Sequence, residues 1–270
     1  MADLGPDPGC GPSGLRDSAP DAAPDAPADA VPDDAHLTRH GMASDPAADR
    51  ARVLVIACGA LAHEILALKR ANDWDHLALT CLPAILHNHP DRITPAVRDA
   101  VTRHRAHYER IFVAYADCGT GGTLQTACAE MGVEMIAGPH CYAFFDGLDR
   151  FAARDEIDAF YLTDFLARQF DAFVWEPLGL DRHPQLRDMY FGHYRTLVYL
   201  AQTDDPALDR HAQDCARRLG LAYERRATGY GDLATALAGF EPRRQASCAA
   251  LTSRMRAIMA RTPLDRCADR

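Results

Sequence analysis

Residues 53–59 read VLVIACG, and this stretch decides the fold class. Five apolar residues in an unbroken run are typical of a strand that is covered on both faces, as in a parallel sheet. Cys58 and Gly59 end the run, and apolar residues then recur at helical spacing over residues 60–70. A buried strand that leads directly into an amphipathic helix is the repeating unit of α/β proteins.

The same alternation continues along the chain to residue 240. It predicts further strands at 76–81, 111–116, 133–137, 197–201 and 222–226, and further helices at 94–108, 123–131, 144–170, 181–194, 206–219 and 231–240. Strands and helices that alternate at this spacing pair in parallel. We therefore predict an α/β fold: an open, mostly parallel sheet of about five or six strands with helices on both faces. Right-handed crossovers place every strand-to-helix turn at one sheet edge, where ligands bind.

The two ends of the chain differ from this pattern. Residues 1–50 contain eight of the 17 prolines and no aromatic residue. Because such a segment buries too little apolar area to offset the entropy of ordering, we predict a disordered tail. Its deletion is expected to leave the melting temperature unchanged. We assign residues 51–245 to a single α/β domain and residues 246–270 to a peripheral helix or a frayed C-terminus.

The charge distribution restricts the classes of partner. Ten aspartates against three arginines give residues 1–50 a charge of −7 out of the total of −9, so residues 51–270 are nearly neutral. A nucleic-acid-binding domain normally carries a basic excess, so we predict no nucleic-acid partner. No segment approaches the roughly 20 apolar residues of a membrane span, and none resembles a secretory signal. We therefore predict a cytoplasmic protein, in which the nine cysteines are reduced.

Thiol and imidazole groups follow several of the predicted strands. The residues that we predict as metal ligands are Cys58, Cys118, His140 and Cys141. His87 and His89 lie in the turn after the second strand. Parallel geometry brings such turns together, and thiolates with imidazoles are the ligands of Zn²⁺ or of an iron–sulfur cluster. No pair has the spacing of a Cys-x-x-Cys motif, and the alternative is that each thiol is a buried structural residue.

The segment DCGTGGT, residues 117–123, is the most distinctive of the chain. Its glycines permit positive φ, and its N–H groups precede a predicted helix, which is typical of an anion cradle. The predicted ligand-binding residues are Gly119, Thr120, Gly121, Gly122 and Thr123. Asp117 is a candidate base or metal ligand, or else only a cap for the turn. Glu64, one turn into the first helix, is a second candidate base.

Several short motifs occur together in an order that resembles a known family. They are CGA at 58–60, DCGTGG at 117–122, GPHCY at 138–142, YLTDF at 161–165 and TGYG at 228–231. In this order they resemble the domain of unknown function family 1638, over about residues 52–240. The resemblance implies no settled activity. Members of this family are often encoded near corrinoid-dependent methyltransferases, which implies methyl or thiol chemistry and a possible methyl-transfer protein partner.

Three functional hypotheses follow from the same residues. The first is a metal-dependent enzyme of small-molecule metabolism, most simply a zinc transferase for methyl or sulfur groups, with an iron–sulfur cluster as the alternative cofactor. Its ligands are Cys58, Cys118 and either His140 or Cys141, its base is Asp117 or Glu64, and its substrate is a small anion or thiol. The second hypothesis is a metal-free enzyme whose nucleophile is the thiol of residue 118. The third is a non-catalytic metal carrier or an accessory protein of a methyl-transfer system.

Overall fold

The structure, a computed structural model, describes residues 33–45 and 51–240. The strands are β1 (Val53–Cys58), β2 (Leu77–Leu82), β3 (Arg110–Ala114), β4 (Glu134–Met135), β5 (Ala159–Leu162), β6 (Thr196–Ala201) and β7 (Ala222–Ala227). The helices are α1 (Asp34–Arg39), α2 (Ala62–Ala71), α3 (Ile93–His104), α4 (Thr123–Met131), α5 (Ala143–Asp146), α6 (Leu148–Arg154), α7 (Asp164–Arg168), α8 (Arg187–Phe191), α9 (Pro206–Leu219) and α10 (Gly231–Ala238).

The strands form two parallel sheets. The first has the order β2-β1-β3-β4 and the second the order β5-β6-β7, and every pair within each sheet is parallel. The predicted α/β class with parallel strands is confirmed, but the strands are divided between two sheets. The first sheet ends at β4, which is only two residues long, and Pro139 follows soon after it. A proline has no N–H with which to continue a hydrogen-bond ladder, so the pairing of β4 does not extend through Pro139.

All six residues of β1 are buried, as expected for a central strand covered on both faces. Its neighbours β2 and β3 and the helices that pack on the sheet supply more of this core, which continues without a break into the second sheet. Among the described residues, no helix has the length and apolarity needed to span a membrane. The predicted peripheral helix at 246–270 lies outside the described residues.

Strand β5 was predicted wrongly, as part of a helix over residues 144–170. Phe160 and Tyr161 fall within this predicted helix, whereas they lie on a four-residue strand that pairs with β6. A run this short contains little more than one helical turn, so its periodicity does not separate the two structures. Aromatic residues favour strands, and pairing with β6 supplies the hydrogen bonds that an isolated strand lacks. The predicted helix at 181–194 likewise shrinks to α8.

The predicted disorder of residues 1–50 is wrong for the part that the structure describes. Helix α1 begins after Asp33, whose side chain accepts a hydrogen bond from the N–H of Ala35 and so caps the helix. Leu37 is completely buried, and Thr38 is buried beside it. The segment also adds a bridge between Met42 and Cys81 at the edge of β2. The folded structure therefore includes residues 33–45.

Candidate functional site

Two thiols meet where β3 and β4 run into their turns. The Sγ atoms of Cys118 and Cys141 are 3.2 Å apart. The two turns are held together by backbone hydrogen bonds from Asp117 N–H to the Gly138 carbonyl and from Cys118 N–H to the Pro139 carbonyl, each 2.9 Å long. The sequence predicted that these turns would be neighbours, and the structure brings these two predicted residues into direct contact.

The backbone of Cys118 has an unusual conformation for a non-glycine residue. Its φ is 46°, in the left-handed region, and the glycines at 119, 121 and 122 also have positive φ. Holding a side-chain-bearing residue there costs roughly 1 kcal/mol or more and is seen most often at functional sites. The turn thus places the thiol of Cys118 against Cys141 at some cost in backbone energy.

The contact between the two thiols shifts their pKa values in opposite directions. The hydrogen bond from Cys141, assisted by the hydrogen bond and charge of His87, lowers the pKa of Cys118 against the opposing effect of burial. The same contact, together with burial, raises the pKa of Cys141 well above the ordinary value. These opposite shifts favour the thiolate form of Cys118 and the protonated form of Cys141. A thiolate beside an imidazole is the usual form of an activated cysteine nucleophile.

Cys58 lies close to this pair but has a different character. It is buried at the end of β1, and burial raises its pKa to about 12, so the thiol stays protonated. It lines a small cavity of about 30 Å³ together with Cys141 and His87. The buried hydroxyl of Tyr115 has no hydrogen-bond partner among the described residues. Most of the other side chains that line this cavity are apolar, so the surroundings of Cys58 do not favour an ionised thiol.

A larger cleft, lined partly by residues of β5, shares His87 and Tyr142 with this small cavity. Its volume is about 260 Å³. The residues that line it are His87, His140, Tyr142, Ala159, Phe160, Tyr161, Leu162, Leu166, Phe173, Val174 and Tyr194. His140, half-buried, stacks on Tyr142 at 4.9 Å between ring centroids, and Tyr142 stacks on Tyr161 at 5.3 Å. Burial lowers the pKa of His140, which favours the neutral imidazole.

The predicted metal ligands are near one another without forming a complete site. Within residues 33–45 and 51–240, no group of three or more His, Cys, Asp or Glu side chains has the arrangement of a metal centre. Cys118 and Cys141 are in contact, and all six described cysteines are free thiols. Metal ligation by Cys58, Cys118, His140 and Cys141 stays a prediction.

The glycine-rich turn already contains a carboxylate. The side chain of Asp117 accepts hydrogen bonds from the N–H groups of Gly121 (3.2 Å) and Gly122 (2.6 Å) and from the hydroxyl of Thr120 (2.8 Å). The predicted anion cradle requires free N–H groups, whereas these N–H groups are already bonded to Asp117. Hydrogen bonding, above all from Gly122, lowers the pKa of Asp117. Of the three roles considered for Asp117, the structure shows the cap. Ligand binding by residues 119–123 stays a prediction.

Glu64, the other candidate base, is buried in α2, only 4% exposed. Its Oε2 atom has no hydrogen-bond partner among the described residues. Burial raises its pKa to about 7, with smaller effects from Arg168, His63 and Asp164. Its charged neighbours thus belong to α2 and α7 and not to the thiol pair. The geometry does not connect Glu64 with the chemistry of Cys118.

The raised pKa of Glu64 predicts an unusual dependence of stability on pH. Between about pH 4.5 and pH 7 the unfolded chain loses this proton while the folded protein keeps it, so the free energy of unfolding falls as the pH rises. Glu64→Gln removes the ionisation, and we expect the variant to be more stable than the wild type above pH 7, by on the order of 3 kcal/mol. Chemical denaturation at pH 4.5 and pH 8 measures this difference. Equal wild-type and variant stabilities at both pH values would contradict it.

Asp164 is itself buried and anchors the ends of β5 and β6 through four hydrogen bonds, two of them to the exposed Thr203. Its Oδ1 accepts from the Tyr199 hydroxyl (2.7 Å) and from the Gln202 N–H (3.0 Å). Its Oδ2 accepts from the N–H (3.0 Å) and the hydroxyl (2.6 Å) of Thr203. The residue lies in the family-like motif at 161–165, but every one of these contacts is internal to the fold. Asp164 therefore has a structural role.

Comparison with known proteins identifies a family without a known activity. A family model described as Protein of unknown function (DUF1638) matches residues 81–237, more than half of the chain. The matched range contains His87, Cys118 and Cys141 and begins after β1. No curated protein matches the chain. The resemblance inferred from the short motifs is confirmed, and the chain belongs to the DUF1638 family.

Proposed function

We propose that the protein is an enzyme of small-molecule metabolism whose nucleophile is the Cys118 thiolate. The observation that carries the proposal is the 3.2 Å contact between the Sγ atoms of Cys118 and Cys141 beside an imidazole and a cleft. The preferred reaction is the transfer of a sulfur or methyl group. The thiolate forms a bond to the transferred group while the bond to the leaving group breaks, and a second acceptor then takes the group from Cys118.

His87 is suited to assist this reaction. Its interaction with Cys118 contributes to the lowered pKa of that thiol, and it also lines the cleft. An imidazole in this position stabilises the thiolate and exchanges a proton with the leaving group. A cytoplasmic location, which stays a prediction, suits the mechanism because it keeps both thiols reduced.

The pH dependence of alkylation tests the nucleophile. Because the pKa of Cys118 is lowered, we expect iodoacetamide to label this residue first, with a midpoint at least about one pH unit below the ~8.5 of an ordinary thiol. Peptide mass mapping after short reaction times identifies the labelled residue. Cys118→Ser abolishes the fast phase, and His87→Ala moves its midpoint to higher pH.

Cys128→Ala is the matched control for this experiment. Cys128 is buried in α4, and burial raises its pKa to about 11, so its removal leaves the fast phase unchanged. A wild-type protein in which Cys118 reacts no faster than the other thiols, or only above pH 8, contradicts the proposal.

Zinc-dependent transfer is a second proposal, supported by the contact of two predicted ligands, Cys118 and Cys141. Elemental analysis of protein purified without oxygen tests it and also detects iron. Stoichiometric metal that is lost in Cys118→Ser supports a metal enzyme if a turnover is found, or a metal carrier if none is. Metal-free protein with the fast thiol contradicts this second proposal and leaves the first intact.

A further inference from the structure

Cys141 has the position of a second reacting thiol. Its Sγ is 3.2 Å from that of Cys118, whereas a disulfide bond is about 2.05 Å long, so closing the bond requires a movement of about 1.2 Å. Both cysteines lie in turns, beyond the ends of β3 and β4, where such a movement breaks no strand pairing. Cys141 is half-buried and lines the small cavity, which shares His87 with the cleft.

The side chains that line the larger cleft determine which molecules it can bind. The described residues that line it include no lysine or arginine. Its walls are aromatic rings, aliphatic side chains and the imidazoles of His87 and His140. Rings of this kind bind the faces of other flat, uncharged groups through stacking and apolar contact. The cleft therefore suits a neutral ring-bearing molecule better than the small anion that the sequence suggested.

We infer that Cys141 is the resolving thiol of Cys118 and that the site reduces the disulfide bond of an uncharged, ring-bearing organic disulfide. This inference rests on the proposed nucleophilic role of Cys118 and names its substrate class. The Cys118 thiolate attacks one sulfur of the substrate, and the other sulfur leaves as a thiolate that takes a proton from the solvent as the mixed disulfide forms. Cys141 then attacks the Cys118 sulfur, losing its proton to the second departing thiol. The substrate gains two electrons and two protons, the protein holds a Cys118–Cys141 disulfide, and an external dithiol reduces it.

The neutral aryl disulfide 4,4′-dithiodipyridine tests the inference by counting the thione that it releases. The full chain is used with Cys10, Cys248 and Cys267, which lie outside the described residues, replaced by serine. We expect two molecules of thione per protein in the fast phase, and a product with a Cys118–Cys141 linkage and no added mass. Cys141→Ser releases one molecule and retains the adduct on residue 118. Cys141→Ala, which carries no hydroxyl, gives the same result.

The outcomes separate this inference from the proposal on which it depends. One thione per wild-type protein, with a stable adduct on Cys118, overturns the resolving role and leaves the nucleophile in place. An unchanged fast phase in Cys118→Ser overturns the proposed function itself.

A second aryl disulfide, which is negatively charged, tests the substrate class. Dithiobis(nitrobenzoate) carries a carboxylate on each ring. For each probe, the rate with the protein is divided by its rate with a free small thiol. We expect this ratio to be at least about tenfold lower for the anionic probe than for the neutral one, because its charges lose water in an apolar cleft. Equal relative rates overturn the assignment of an uncharged substrate. Melting curves of each variant verify that it is folded.

Discussion

Replacing Asp164 with alanine is expected to lower the free energy of unfolding by about 3–5 kcal/mol, because several buried donors lose their acceptor at once. The carboxylate accepts four hydrogen bonds, from Tyr199, Gln202 and Thr203, and it is only 1% exposed. Two of the donors, the Tyr199 hydroxyl and the Gln202 N–H, are buried with it. The loss also separates the ends of β5 and β6, so that the second sheet is weakened where the two strands enter their turns.

Denaturant unfolding of three variants measures the effect. Asp164→Asn keeps the size of the side chain but has one oxygen in place of two, so it is expected to retain part of the stability. Asp149→Ala, at an exposed position in α6, is the control and is expected to stay within about 0.5 kcal/mol of the wild type. A loss below about 1 kcal/mol for Asp164→Ala would contradict the structural role.

Helix α1 is expected to be equally important for stability, although it lies in a segment whose composition predicts disorder. Leu37 is fully buried, and Leu37→Ala is expected to cost about 2–5 kcal/mol through lost burial and the remaining cavity. At about 2–4 °C per kcal/mol, the melting temperature falls by roughly 4–20 °C. Deletion of residues 1–50 removes the whole helix and is expected to lower it at least as much.

Two controls separate the helix from the rest of that segment. His36→Ala, on the exposed side of α1, changes stability by less than about 0.5 kcal/mol. Deletion of residues 1–32 leaves α1 in place, and we expect no change in melting temperature. A deletion of residues 1–50 that also leaves the melting temperature unchanged would refute the contribution of α1.

The parts of the fold that were predictable are those in which local pattern and tertiary structure agree. Helices α4 (Thr123–Met131) and α9 (Pro206–Leu219) have the predicted bounds, because a glycine follows each one and allows the left-handed conformation that ends a helix. Strand β5 was missed because its identity depends on pairing with β6, which no local signal contains. Helix α1 was missed because a single buried leucine and a contact between distant residues outweigh an unfavourable composition. Asp34 binds His63 and Arg168, neither of which is near it in sequence.

For the candidate site, the sequence was sufficient to predict which turns lie side by side. Parallel strands place their turns at one edge, so Cys118 and Cys141 could be grouped from the sequence. Their difference in pKa could not be predicted, since it depends on a 3.2 Å contact and on the position of His87. His87 follows a predicted strand, and this was the available signal for its role. The hydrogen bonds of Asp117 were missed because a cap and a ligand have the same sequence signature.

The carboxylate of Asp117 fills the amide-lined turn with a negative charge that belongs to the protein itself. Glycine-rich turns of this shape are where nucleotides and phosphorylated coenzymes are usually held, because their phosphates meet free amide groups. Here such a compound meets like charge, since hydrogen bonds from Thr120, Gly121 and Gly122 already go to Asp117. We therefore expect the turn to bind phosphate esters more weakly than a glycine-rich turn whose amide groups are free.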